Sequence, residues 1–317
     1  MTRDPSARSA TTPSPWLVLG AALIGISFAA PLIRLSNADP LVIATWRLGF
    51  SLIIVAAALL ITGGWRAWRT LAARDLMLAT GAGILLAVHF WSWNASLRFT
   101  SVAASVALVN LQPVFIAAAS AWWLDEVPSR RQWGGVSIAV VGALVVGLAD
   151  IPGGLSGIGA AIFSGGAGDG SGGGSRALFG DLLALLGAVT AAGYYLIGRR
   201  LRKQLDVWSY VGLVYSAAFA TCLVLALGTG KVIGPQPPRE LAIFAGLALG
   251  PMLLGHTGMN WALGHLPAFV VNLTTLGEPI GATILAAILP GIAEVPGVGT
   301  IVGGALVLGG VLLAARR

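Results

Sequence analysis

The sequence has little charge and almost no sulfur. Only 10% of its 317 residues are charged, against about 25% in an ordinary soluble domain. Cys222 is the one cysteine, which excludes an internal disulfide and any cysteine-based metal cluster. The three histidines, His89, His256 and His265, show neither HxxxH nor HExxH spacing, so the pattern holds no ligand set for a metal-dependent hydrolase. The acids are scattered, and no nucleophile–base set stands out, so the sequence reads as a non-enzyme. No G-K-[ST] follows the glycine-rich stretch 151–177, which removes the P-loop reading and argues against direct use of ATP. No organic cofactor or metal is called for.

What is abundant is apolar. The chain is 56% hydrophobic with a mean hydropathy of +0.86, and it carries 44 Gly and 11 Trp. That leaves too little polar surface to cover a water-soluble fold, while Gly suits close helix contacts and Trp suits membrane interfaces. The reading is an all-α integral membrane protein. Cys222, set in an apolar run, reads as a small buried residue.

A bilayer core of about 30 Å takes roughly 20 apolar residues per helix. Ten segments qualify: 16–35, 41–62, 76–97, 102–124, 132–150, 178–198, 207–228, 240–262, 267–289 and 297–315. Segments this long and continuous are helices, because barrel strands would be short and alternating. Ten spans place both termini on one side. That side then holds 13 of the Lys and Arg residues; Arg34, Arg98, Arg176, Lys231 and Arg239 fall on the other, and Arg47 lies within a span. By the positive-inside rule both termini are cytoplasmic, in a plasma membrane of the bacterial inner-membrane type. The net charge of +7 is therefore a topology signal. With no basic helix or fold module to carry it, nucleic acid is not an expected partner. Residues 1–15 are a polar, Pro-rich cytoplasmic tail, and the first span is a signal anchor. Residues 151–177 read as a flexible extracytoplasmic linker between two halves.

The halves repeat. A shift of 166 residues places Asn94 on Asn260, Leu97 on Leu263, Gln112 on Glu278 and Pro113 on Pro279. A shift of 168 places Glu126-Val127-Pro128 on Glu294-Val295-Pro296, Gly135 on Gly303 and Gly142 on Gly310. Five spans per half is an odd number, so the second half enters the membrane from the opposite side. The expected architecture is a 5+5 inverted-topology repeat around a central cavity, a transporter architecture in which two halves rock about a midplane site.

These residues also carry a family resemblance. The stretch 94–115 followed by Leu-Asp-Glu-Val-Pro at 124–128 resembles the EamA domain of the drug/metabolite transporter superfamily, and 260–268 with 276–281 resembles its second copy. Pro40 with Arg47 is similar to the start of the family's second helix. The resemblance implies ten helices, a central cavity, and export or exchange of small metabolites, often amino acids. It also implies Glu-Pro in both copies. Here the first copy reads Gln112-Pro113, which leaves any coupling that needs paired carboxylates in question.

Glu278 is the one charge between Ala268 and Leu289. Ten residues of helix rise about 15 Å, half the hydrocarbon thickness, so Glu278 and its repeat mate Gln112 sit near the midplane. A charge there costs roughly 2.5–3.5 kcal/mol on insertion scales and normally faces a cavity or a partner. Two readings stay open: Glu278 binds a substrate amine or carries a proton, or it is neutral or paired with Arg47 and holds two helices together. Pro113 and Pro279 interrupt matching helices, which points to a transporter site.

His89, Trp93 and Ser96 follow i, i+4, i+7 and share one helix face, read either as cavity wall or as interhelical packing. Tyr194, Tyr215 and His256 are further candidates for substrate binding, with Tyr195 beside them. Asn94 and Asn260, which recur near helix ends, read as structural hydrogen-bonding groups. Gly135, Ala139, Ala143 and Gly147 form a small-residue stripe, as do Gly299 and Gly303; both read as packing faces in a monomer or a homodimer contact. The expected function is secondary transport, most simply export of amino acids or related amphipathic small-molecule substrates. A passive channel, a sensor and an intramembrane enzyme are the rival readings.

Overall fold

The computed structural model describes residues 13–123, 128–149, 173–293 and 297–315. The expected tail up to residue 12, the linker up to residue 172, and the Asp-Glu-Val and Glu-Val-Pro matches at 125–127 and 294–296 lie outside the described residues. Among the described residues every regular element is a helix. Seven helical stretches are long and apolar enough to cross a membrane: Pro15–Leu35, Pro40–Thr62, Ala73–Ser96, Leu178–Leu201, Val207–Gly228, Pro238–Leu263 and Ala268–Ile288. The chain is a multi-pass membrane protein. Its outward-facing Leu17, Leu60, Ile61 and Val298 are largely exposed, an apolar surface that suits lipid and would be a liability in water.

The first stretch is α1 (Pro15–Ser27) and α2 (Ala29–Leu35), joined at Phe28. Helix α3 (Pro40–Thr62) starts where Asp39 accepts a bond from Leu41 N at 3.0 Å and Pro40 occupies the first turn, and stops at Gly63 with φ of 70°. A short 3₁₀ turn (Gly64–Thr70) leads to α4 (Ala73–Ser96). Two short helices follow, α5 (Val102–Val109) and α6 (Gln112–Trp123), then α7 (Arg130–Ala149).

Helix α8 (Gly173–Leu201) begins inside the stretch read as linker, so residues 173–177 are helical. Helix α9 (Val207–Gly228) is capped by Asp206, which accepts from Trp208 N and Ser209 N. The next stretch is α10 (Pro238–Leu247), a π-helical segment (Ala248–Thr257) enclosing Pro251, and α11 (Gly258–Leu263). The chain ends with α12 (Ala268–Thr275), α13 (Glu278–Ile288) and α14 (Val298–Ala315).

The repeat is written in the helix boundaries. Helices α5 and α12 begin at Val102 and Ala268, and α6 and α13 begin at Gln112 and Glu278, both pairs at the sequence offset of 166. Helices α7 and α14 begin at Arg130 and Val298, at the second offset of 168. The same tie recurs at the ends of α4 and α11: Arg34 donates to Leu97 O, and Arg199 donates to Leu263 O at 2.7 Å.

Helices α3 and α9 occupy corresponding places in the two halves and run antiparallel. At one end Lys231 Nζ lies 2.9 Å from Asp39 Oδ2, and Trp46 Nε1 donates to Ile233 O at 2.7 Å. At the other, Ser209 Oγ donates to Gly64 O at 2.8 Å, and Trp68 Nε1 donates to Ser209 O at 3.0 Å. Trp68 is thus a tie between the two helices.

Buried apolar side chains gather in two clusters. The larger includes Leu48, Leu86, Tyr195, Tyr215 and Met259. The smaller joins Ala29, Ile33, Ile43, Trp93, Leu97 and Val109 at one end of the molecule. The small-residue stripe of α7 packs within the chain: a Cβ on Gly310 of α14 would stand 2.5 Å from Ala139 N and 2.6 Å from Gly135 O.

Candidate functional site

The site begins with two broken helices. Helix α5 stops at Val109 and α6 starts at Gln112; α12 stops at Thr275 and α13 starts at Glu278. Pro113 and Pro279 each fall second in the new helix. A missing N–H costs nothing there and the fixed φ favours helix, so the prolines initiate the second half-helices, and the breaks precede them. Glu278 lies in the first turn of α13, where the helix dipole favours negative charge.

The two breaks are bonded to each other. Asn110, which caps α5, donates Nδ2 to Val106 O at 2.9 Å and to Glu278 Oε2 at 3.3 Å. Gln112 Nε2 donates to Thr275 Oγ1 at 3.1 Å, and Thr275 Oγ1 donates to Asn272 O at 2.7 Å.

Beside these bonds lies a cavity of about 30 Å³, room for about one water. It sits where the two apolar clusters meet. Ile26 of α1 and Ala29 of α2 form one wall, His89 and Trp93 of α4 a second, and Tyr195 of α8 with His256 and Met259 a third. Val109, Gln112, Thr275 and Glu278 complete it from the breaks. Glu278 is only 7% exposed.

The walls are aromatic. His89 stacks on Trp93 at 6.0 Å and His256 stacks on Tyr195 at 6.4 Å, with the two imidazoles 6.2 Å apart and edge-on. His89 Nδ1 contacts Gly187 O at 2.9 Å. A carbonyl only accepts, so Nδ1 carries the proton and Nε2 is left to the site. Trp93 Nε1, a donor, and Gln112 Oε1, an acceptor, are buried without a protein partner. Buried polar atoms are ordinarily bonded, so these two are unused hydrogen-bonding groups on residues of the lining.

Arg47 is fully buried in the next layer. Its guanidinium lies 4.0 Å over the Phe90 ring, and Phe90 meets His256 edge-on at 5.2 Å. Nη2 contacts Met252 Sδ at 3.8 Å, while Nε and Nη1 have no hydrogen-bond partner among the described residues. Arg47 and Glu278 form no ion pair within 4.0 Å, so the pairing that the sequence left open is absent from this conformation.

Of the candidate binding residues, His89, Trp93, Gln112, His256 and Glu278 meet in the cavity. Ser96 does not line the cavity; of its two readings, cavity wall and interhelical packing, it takes the second. It is the last residue of α4, and its Oγ donates back to Trp93 O at 2.7 Å and meets Ser105 Oγ at 2.6 Å. Tyr194 and Tyr215 also stand outside the lining: Tyr194 Oη accepts from Asn260 Nδ2, and Tyr215 Oη meets Thr257 Oγ1 at 2.9 Å. Asn94 donates Nδ2 to Pro40 O at 3.3 Å, and Asn260 O accepts from Arg202 Nε at 2.8 Å. Both asparagines tie helix ends. Asn110, Thr275 and Met259 are not singled out in the sequence reading. For the first two a signal existed, since each is a polar residue in an apolar run shortly before a helix-starting proline.

No curated protein matches the chain. A solved crystal structure 18% identical in sequence covers 95% of this chain and 96% of its own, with a TM-score of 0.68, which shows a shared fold. The model of the EamA-like transporter family matches twice, over residues 13–148 and 178–316, one match per half. With the repeat in its helix boundaries and a cavity at its two helix breaks, the chain belongs to the EamA-like transporter family.

Proposed function

We propose that the protein is a secondary transporter that exports amino acids or related amphipathic solutes by alternating access. In this reading it crosses a plasma membrane of the bacterial inner-membrane type ten times, in two inverted sets of five spans, with both termini cytoplasmic. The antiparallel course of α3 and α9 supports the inversion. So does the meeting of the 34–40 turn with the segment after α9, both assigned to the extracytoplasmic side.

The observation that carries the proposal is the pair of bonded helix breaks, one from each half, closing over a polar-and-aromatic cavity. Glu278 offers acceptors to an amine or a place for a proton, Trp93 Nε1 and Gln112 Oε1 offer a donor and an acceptor, and the rings of His89, Trp93, Tyr195 and His256 suit an apolar or aromatic side chain. The cavity is too small for an amino acid in this conformation. Passage requires the halves to part, which fits a carrier better than an open channel.

The test is efflux of preloaded labelled amino acids from proteoliposomes, with and without a pH gradient, for wild type and Glu278→Gln. Saturable efflux stimulated by the gradient only in wild type supports proton coupling at Glu278. Equal efflux from both proteins whatever the gradient makes Glu278 structural and transport facilitative. Non-saturating flux supports a channel, and no flux across a broad panel overturns the amino-acid reading in favour of a sensor.

A further inference from the structure

A second, larger cavity of about 500 Å³ lies at the end of the molecule where α2 turns into α3. Arg34, Arg98 and Arg176 line it with Ser36, Asn37 and Asn94, and among the described residues none of the lining is acidic. The three arginines come from distant points in the chain. Arg34 is held by its bond to Leu97 O, Arg98 donates Nη2 to Ala38 O, and Arg176 lies 5.8 Å from the Phe99 ring. Nearby charges of both signs are used locally: Asp39 pairs with Lys231 at 2.9 Å and Glu240 with Arg239 at 3.4 Å, while Glu240 also accepts from Ser36 Oγ and Asn37 N. Asp181, on α8 beyond Arg176, is not part of the lining.

This vestibule stands in line with the central cavity. Trp93 lines the cavity, and Asn94 and Leu97 on the same helix line the vestibule, so the two are about 6 Å apart along α4. Likewise Ala29 of α2 lines one and Ile33 the other. The buried Trp93, Leu97, Ile33 and Ile43 form an apolar plug between them. Asn94 is 1% exposed and its Oδ1 has no hydrogen-bond partner among the described residues, leaving an unused acceptor on a residue of the same lining.

We propose that the vestibule is an oxyanion-capture site, holding the carboxylate of the solute at the arginines on its way into or out of the central cavity. Asn94 Oδ1 is the matching acceptor for an adjoining ammonium. The proposal rests on the transport reading above. A lipid headgroup phosphate carries the same chemistry, and the experiment separates the two sources. Guanidinium forks suit planar oxyanions, and a cleft lined by one sign of charge raises the local concentration of its counter-ion about tenfold or more.

The test is the labelling rate of an Asn37→Cys variant in nanodiscs, with one anionic and one cationic methanethiosulfonate. Asn37 is exposed and Cys222 is fully buried, so the introduced thiol is the one read. In neutral phosphatidylcholine the anionic reagent is expected to be favoured about tenfold relative to a free thiol. Arg176→Gln or high salt should cut that preference several-fold. Leucine should slow the anionic label while leucinamide, which lacks the carboxylate, should not. Absence of an anion preference, or one indifferent to Arg176→Gln, overturns the site. Equal protection by leucine and leucinamide overturns carboxylate capture. Loss of the preference when phosphatidylglycerol is added assigns the site to headgroup phosphate and overturns the solute role. Labelling needs no turnover, so a failed flux assay and a failed vestibule remain distinguishable.

Discussion

Asn110 and Glu278, 168 residues apart in sequence, meet at 3.3 Å and join the helix break of one half to that of the other. Gln112 and Thr275 repeat the connection in parallel. A hydrogen bond contributes a net of about 0.5–1.5 kcal/mol, and about 1.5–3 when one partner is charged. Two such bonds hold the breaks in register without locking them, so on the proposed transport reading parting the breaks is within reach of solute binding or proton transfer.

Asn110→Leu keeps similar bulk and removes the donor. If Glu278 depends on that donor for its role, the gradient stimulation of efflux falls to the level of Glu278→Gln. Thermal unfolding in detergent should show a loss of about 1–3 kcal/mol for the unsatisfied carboxylate. Undiminished stimulation would show that Glu278 works without Asn110.

Trp93→Phe retains an aromatic wall and deletes Nε1. The expected outcome is a several-fold rise in KM with little change in kcat, read from initial efflux rates. Trp93→Ala should instead cost about 3–5 kcal/mol of stability, which a melting curve separates from the binding effect.

Arg47→Met replaces a buried guanidinium that leaves two nitrogens unbonded. Replacing even a buried ion pair by well-packed apolar side chains is often neutral or stabilising by about 1–4 kcal/mol, and a guanidinium without an ion-pair partner has less attraction to lose. The melting temperature should therefore hold or rise while transport is lost. A fall of several kcal/mol would mean that Arg47 is fully paired in the bilayer.

Gly310→Leu and Gly309→Leu test the α7–α14 seam. A Cβ on Gly310 meets backbone at 2.5 Å, whereas one on Gly309 meets nothing within 4 Å. Overpacking at Gly310 should cost about 1–3 kcal/mol or more, and Gly309→Leu should melt close to wild type.

Much of the site was legible because charge and proline are scarce in the spans, which made Glu278, Gln112 and the two prolines conspicuous, and the 166-residue offset located both breaks. Periodicity put His89 and Trp93 on one face. It left Ser96 between cavity wall and helix packing; α4 ends there, and the hydroxyl bonds its own backbone and Ser105 of α5 instead of reaching the cavity. Sequence could not choose between Tyr194 and Tyr195, neighbours that point in different directions; only packing shows that Tyr195 lines the cavity while Tyr194 bonds Asn260. Asn110 is marked in sequence only as a polar residue in an apolar run; its bond to Glu278 is not legible there, because that partner lies in the other half. The vestibule was equally hidden, since its arginines stand far apart in sequence, Arg34 at the end of α2, Arg98 just past α4 and Arg176 near the start of α8, and each reads alone as a topology marker.

The π-helical segment at 248–257 has no counterpart in α4, which is α-helical from Ala73 to Ser96. Each π turn closes over one more residue than an α turn, so His256 reaches the cavity through a different winding from His89. On the proposed alternating-access reading, in which the two halves exchange roles, the inward-open and outward-open forms are then not mirror images of equal energy, and one of them is where the empty protein waits. That preference has no power over the direction of net flux, which the gradients alone decide, but it sets which side of the membrane meets a ready binding site first.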